Sequence, residues 1–225
     1  MINVLVTGAG GFIGKNLINR LHREEGVSIK EYHRGDDLTQ LYQYLNESDV
    51  IYHLAGVNRP QQNAEFARVN TGLTELIVNY LIEKKKNPKI IFSSSSKAAL
   101  HTPYGLSKKA AEEVLKNYSD KTGADVYIYR LPGVFGKWAR PHYNSVVATF
   151  CHEISHDKEI EIHDAEKVLE LAYIDDVTEN FIGCLAKEKT EEKFYHHIDQ
   201  TFYTTISELA HKLYEIKNSR KSLII

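Results

Sequence analysis

Cysteine is nearly missing: Cys151 and Cys184 are the only two in 225 residues, far apart and without metal-ligand spacing. That excludes a disulfide framework and makes a reduced, cytoplasmic protein the natural expectation. Charge of one sign is missing too, since 28 basic residues meet 30 acidic ones. So balanced a chain offers no broad positive surface, and neither a nucleic acid nor a membrane is expected as a partner. No apolar run approaches a membrane span, and because Met1 leads straight into a structured motif no secretory leader is expected. Low-complexity segments and internal repeats are absent. What remains is a chain long enough to bury a substantial core, as one domain or as a domain with a smaller lobe.

Short apolar runs alternate with amphipathic ones. "INVLVTG" (2–8), "VSIKEYHR" (27–34), "DVIYHLAG" (49–56), "PKIIFSSSS" (88–96) and "DVYIYRLPGVFG" (125–136) read as strands. Between them "FIGKNLINRLHRE" (12–24), "LTQLYQYLNES" (38–48), the long "AEFARVNTGLTELIVNYLIEKKK" (64–86) and "SKKAAEEVLKNYSDKTG" (107–123) read as helices. This alternation is the signature of an α/β fold with a doubly wound parallel sheet, a Rossmann core expected over residues 1–135. Beyond it, "NSVVATFCHEISH" (144–156) and "TISELAHKLYEIKNSR" (205–220) predict helices with less regular chain between them. Residues 136–225 are therefore expected to form a small C-terminal substrate-binding lobe.

The first strand runs into "TGAGGFIG" (7–14), whose glycines at 8, 11 and 14 fit G-x-x-G-x-x-G and not G-x-G-x-x-G, which would need glycine at Ile13. Gly8 permits the tight turn, Gly11 lets a pyrophosphate approach the backbone, and Gly14 lets the following helix pack on the sheet. The helix N-terminus, opened by Phe12 and Ile13, then offers free N–H groups and a positive dipole end to phosphate. A glycine string alone can be a turn; between this strand and this helix it predicts dinucleotide binding. At the end of the second strand an acid would suit the ribose hydroxyls of NAD, and a base the 2′-phosphate of NADP. His33 and Arg34 stand there, so NADPH is expected in preference to NADH, although Asp36 and Asp37 follow closely.

In "TPYGLSK" (102–108), Tyr104 precedes Lys108 by four residues, which puts both on one face of a helix. An ammonium held there is expected to lower the tyrosine pKa, making the phenol a usable acid near neutral pH. The bland alternative is a helix-start tyrosine and a solvated lysine. The serine run 93–96 ends a strand at the face where a nicotinamide should lie, although serines are also ordinary turn residues.

Taken in order, TGxxGxxG, "HLAG" (53–56), the serine strand, the Tyr104/Lys108 pair and "YIDDV" (173–177) resemble the extended short-chain dehydrogenases/reductases. Within them, "HLAGVNRP" (53–60), "VYIYRLPGVFGKW" (126–138) and "YNSVVATFC" (143–151) are similar to the reductase domains of capsular-polysaccharide sugar biosynthesis. The resemblance implies Tyr104 as proton donor, Lys108 as the residue holding ribose and tuning the phenol, and Ser95 (with Ser94 as fallback) as the hydroxyl orienting a carbonyl. It implies Leu54, Ala55, Gly56, Asn70, Leu131 and Pro132 beside the cofactor, and Asn58, Arg59, Lys137, His142 and Asn144 near the sugar or diphosphate, where solvated loop residues are an equal reading. The implied activity is NADPH-dependent reduction of the C4 ketone of a UDP-linked 4-keto-6-deoxy-N-acetylhexosamine by a homodimer. Such domains are followed by a cupin that epimerises C3; no cupin follows "KSLII" here, so that function is expected of a separate or deleted partner.

Rival readings are weaker. A 4,6-dehydratase needs acids just after the active hydroxyl, where Ser96, Lys97 and Ala98 stand. A nucleotide-sugar 4-epimerase retains NAD, against the Arg34 reading, and a non-catalytic cofactor-binding protein need not keep both Tyr104 and Lys108. "HEISH" (152–156) matches the zinc-protease pattern, with His163 the only further ligand near; it reads as a helix end with exposed imidazoles, and no metal is expected. His196 and His197 should point to opposite sides of an extended chain. "EKKK" (83–86) and "KEKTEEK" (187–193) read as solvated faces or loops.

Overall fold

The structure, a computed structural model, describes residues 1–186 and 194–222. The charged run 187–193 lies outside the described residues, as do residues 223–225 at the end of "KSLII". Contacts divide the chain into two compact units, residues 1–131 with 177–198 and residues 132–176 with 199–225. The division expected at residue 135 differs from this mainly because residues 177–198 return to the first unit.

The first unit is a parallel sheet of β1 (Ile2–Thr7), β2 (Val27–Tyr32), β3 (Val50–His53), β4 (Lys89–Ser95), β5 (Val126–Leu131) and β8 (Tyr195–His196), in spatial order β2-β1-β3-β4-β5-β8. Alternate residues serve opposite faces. Leu5, Ile51, Ile90, Phe92 and Ile128 join the core formed with α2 (Leu38–Glu47), α3 (Gly72–Glu83) and α4 (Pro103–Thr122). On the other face, Tyr52 donates its hydroxyl to the carbonyl of Phe181 at 2.8 Å, and Tyr129 packs on the Phe181 ring, so α6 (Ile174–Ala186) covers that side. Near it, α1 (Phe12–Leu21) joins α6 through Arg20 and Glu179. Helices thus flank both faces, the doubly wound arrangement the alternation predicts.

Caps set the helix starts. Thr102 accepts from the Gly105 N–H at 3.1 Å, with Pro103 at the first helical position, so α4 begins before the predicted Ser107 and carries Tyr104 within its first turn. Gly123 (φ 73°) ends it in the left-handed conformation. The predicted helix over 64–86 is not uniform: Phe66–Thr71 winds as a π-helical turn before α3. The cause is Asn70, whose buried amide accepts from Val57 N–H (2.8 Å), donates to Val57 O (3.0 Å) and donates to Ser107 Oγ (2.9 Å). Pulling one side chain inward inserts an extra residue into the turn.

The second unit pairs β6 (Gly133–Phe135) parallel to β7 (Val168–Tyr173), and β7 antiparallel to β9 (Phe202–Thr205). Its small core packs Phe150 and Ile154 of α5 (Val146–Ser155) against Ala210 of α7 (Ile206–Ser222), with Leu209 and Leu213 beside them. The two helices match expectation; the sheet does not follow from the sequence pattern, because β6 and β9 are short and no strand of it is buried throughout.

Candidate active site

β1 ends at Thr7 beside Tyr32 of β2, so the glycine loop and His33–Arg34 emerge side by side. Gly8 takes φ +70°, and a Cβ there would lie 2.7 Å from the Ala55 backbone nitrogen; a Cβ on Gly14 would meet Gly8 O at 2.4 Å. Those two glycines let the loop, β3 and α1 approach more closely than any side chain allows. Gly11 is the N-cap of α1 without a side-chain cap, and the first turn carries no acid. His33 Nδ1 lies 3.3 Å from where a Gly10 Cβ would sit, and His33 and Arg34 are exposed. A bare helix N-terminus with bases at its rim fits the pyrophosphate and ribose of a dinucleotide.

The loop is wired to α4 by buried hydrogen bonds. Thr7 Oγ1 meets His53 Nδ1 (2.8 Å), His53 Nε2 meets Thr74 Oγ1 (2.9 Å), and Thr74 donates to Asn70 O (2.7 Å). Asn70 then reaches Ser107, which donates to Tyr104 O at 2.8 Å. Burial and the nearby Lys108 hold the His53 pKa down to about 3, so its ring is neutral.

Tyr104 is half-buried, its ring beside Phe66, with the Ser95 hydroxyl within hydrogen-bonding reach of its phenol. Lys108 is buried, donates to Ser93 O at 2.7 Å, lies 4.6 Å from the Phe92 ring centroid, and is pushed down to about 8 by burial. The expectation that Lys108 lowers the Tyr104 pKa is corrected here. Burial raises it, the Ser95 hydrogen bond opposes that only in part, and the ammonium is directed to the Ser93 carbonyl. Ser94 is committed elsewhere: its hydroxyl donates to Glu112 at 2.5 Å.

The remaining expected residues divide between the units. Leu54, Ala55 and Gly56 follow β3, with the Lys108 ammonium 3.5 Å from a Gly56 Cβ position. Asn58 and Arg59 are exposed in the same loop, and Leu131 is buried at the end of β5. Pro132, Lys137, His142 and Asn144 belong to the second unit. There Lys137 pairs with Asp175 at 2.9 Å, and His142, at φ 55°, contacts Glu153 at 2.8 Å.

The "HEISH" helix end departs from its reading in one respect: His156 is exposed, but His152 is half-buried, edge-on to His142. Donor atoms of His142, His152 and Glu153 lie within 4.8 Å of one another. The contact of His142 with Glu153 and the Lys158 ammonium 3.9 Å from the same carboxylate account for that grouping. His163 is not part of it. His196 is buried against Tyr127 and Tyr129 whereas His197 is exposed, as an extended chain requires.

Missing from the sequence reading are Glu112, Arg130 and Tyr195, and the His53–Thr74 link. The i,i+4 spacing of Lys108 and Glu112 was a usable signal for the first; Arg130 and Tyr195 depend on strand pairing, and the His53–Thr74 link on how α3 packs against β3.

A doubly wound sheet with this glycine loop and a Ser95–Tyr104–Lys108 cluster defines an extended short-chain dehydrogenase/reductase. The chain belongs to the NAD dependent epimerase/dehydratase family, whose profile matches residues 4–196. It is 40% identical over 222 residues to the UDP-2-acetamido-2,6-beta-L-arabino-hexul-4-ose reductase of Pseudomonas aeruginosa, covering 99% of this chain and 59% of that protein. Among solved structures it is similar to the capsular polysaccharide assembling protein CapF from Staphylococcus aureus (TM-score 0.87, 38% identity, 98% of this chain and 60% of that one). The chain therefore spans less than two thirds of the length of either relative. The UDP-glucuronic acid 4-epimerase of Bacillus cereus, solved with UDP-glucuronic acid and NAD, shares the fold (TM-score 0.85, 21% identity, 96% of this chain and 83% of that one).

Proposed function

We propose that the chain is an NADPH-dependent reductase of the C4 ketone of a UDP-linked 4-keto-6-deoxy-N-acetylhexosamine. The observation that carries the reading is the Ser95–Tyr104 hydroxyl pair beside a buried lysine, in a chain 40% identical to a reductase named for such a ketose. The glycine loop and the N-terminus of α1 would hold the pyrophosphate, Arg34 and His33 the 2′-phosphate, and Lys108 the nicotinamide ribose. A bound reduced nicotinamide supplies the hydride. Ser95 donates a hydrogen bond to the carbonyl oxygen, and Tyr104, kept protonated by burial, gives its proton to that oxygen as the alcohol forms. Asn58 and Arg59, exposed in the loop after β3, would meet the sugar or diphosphate. The same reading carries a homodimer in the cytoplasm and a C3 epimerisation that precedes the reduction.

Purified protein mixed with NADPH and the UDP-4-keto sugar should oxidise NADPH and yield a product with one new C4 stereocentre. No NADPH turnover, together with NAD retained through purification and interconversion of C4 epimers, would replace this reading by a 4-epimerase. Cofactor binding with neither activity would leave a non-catalytic protein.

A further inference from the structure

Three successive serines ending β4 meet a ladder of residues spaced four apart on α4. Ser93 accepts from Lys108 through its carbonyl, Ser94 donates its hydroxyl to Glu112, and the Ser95 hydroxyl reaches Tyr104. Tyr104 and Lys108 belong to the site already described. Glu112 has no part in it, yet it is fully buried one helical turn beyond Lys108.

Burying a carboxylate is costly unless its lone pairs are met by donors. Here Oε1 accepts from Ser94 Oγ (2.5 Å) and Arg130 Nε (3.0 Å), and Oε2 from Arg130 Nη2 (2.6 Å) and the Tyr195 hydroxyl (3.1 Å). Ser94 and Arg130 are register partners across β4 and β5, so the fork arrives along the sheet itself. Around this pair, Lys116 lies over the Tyr195 ring (4.7 Å) and Glu113 acts on Arg130. Lys108 meets the Ser93 carbonyl and the Phe92 ring from β4 and acts on neutral His53 of β3, while Tyr104 on its own helix is raised by burial and held by Ser95. The charge that opposes its burial is the Glu112 carboxylate.

We propose that Glu112 is a positioning residue for the Tyr104–Lys108 pair: buried one helical turn beyond Lys108 and clamped by Arg130, its carboxylate presents negative charge to the lysine, and its grip on Ser94 sets the strand end that presents Ser95. This rests on the reductase reading for its role in turnover, but the charge coupling itself can be measured without turnover. Without Glu112, burial acts alone, Lys108 loses its proton at lower pH, and its donation to Ser93 and to a ribose goes with it.

The test follows the Lys108 ε-carbon by NMR in lysine-labelled protein, assigned by its loss in Lys108→Met. In Glu112→Gln the Lys108 midpoint should fall by about one pH unit or more, whereas Ser94→Ala, which keeps the carboxylate, should leave it within about 0.3. Glu112→Asp should restore it. Should Glu112→Gln not fold, Arg130→Gln, which leaves the carboxylate without its counter-charge, should move the midpoint the opposite way, upward. In the reduction assay the alkaline limb of kcat should shift with the NMR midpoint. A midpoint unmoved in a folded Glu112 variant of an enzyme that reduces the ketone overturns the inference alone. A midpoint that moves in a protein whose wild type reduces nothing overturns the reductase reading and leaves the coupling standing.

Discussion

Lys108 Nζ donates to the carbonyl oxygen of Ser93 across 2.7 Å, tying the second turn of α4 to the end of β4. That bond turns the ammonium toward the strand, and the phenol of Tyr104 is left to burial and to Ser95. Tyr104 is therefore a weak acid that remains protonated at neutral pH. Such a group suits ketone reduction, in which a proton must be given.

Tyr104→Phe should cost at least about a hundredfold in kcat, the order of a general-acid contribution, with NADPH affinity within about threefold of wild type. Stopped-flow turnover and fluorescence titration of NADPH read the two quantities separately. More than about a tenth of wild-type kcat would remove Tyr104 from the chemistry.

Arg34→Ala should weaken NADPH by about ten- to a hundredfold, the loss of one charge-assisted phosphate contact, while NADH changes little. The residue is exposed at the rim of the glycine loop, so the fold should be unaffected. Equal weakening of both cofactors in calorimetric titrations would transfer the 2′-phosphate to another base.

Gly14→Ala should destabilise the protein by about 1–3 kcal/mol, because the new methyl meets two backbone oxygens, at 2.4 and 2.8 Å, that have no rotamer to escape into. Gly10→Ala should stay within about 0.5 kcal/mol of wild type, since its near neighbour is the exposed His33 ring, which can swing away. Urea denaturation midpoints decide between them; an equal cost at both positions would refute the packing account.

His53 is neutral when folded, with a pKa near 3, but free to protonate near 6.5 once unfolded. Below about pH 6.5 the unfolded state binds the extra proton, so this contribution is complete above that pH and is lost progressively as pH falls toward 3. Between pH 7 and pH 5 it amounts to about 2 kcal/mol. His53→Gln, which cannot titrate, should lose that much less stability than wild type over the same interval of denaturant melts. A matching pH dependence in both proteins would show that the ring is not buried uncharged.

Strand and helix order, the glycine turn and the shared helix of Tyr104 and Lys108 were legible in the chain, because each depends on local spacing: alternation of apolar runs, glycine where backbones touch, and i,i+4 geometry; Ser95 was singled out by resemblance alone. The second unit's sheet was not legible, since β6 has only three residues and its pairing with β7 joins segments far apart in sequence. Nor was the π-helical turn, whose cause is the pair of hydrogen bonds that Asn70 exchanges with the backbone of Val57, accepting from its N–H and donating to its carbonyl. By itself the sequence determined an α/β fold with a dinucleotide-type glycine turn after its first strand. Only tertiary structure decided where charge sits within that site. Whether Lys108 faces a phenol or a carbonyl, and whether Glu112 meets Arg130 or water, depends on how α4 lies over β4 and β5, and a buried charge takes its properties from the groups that surround it.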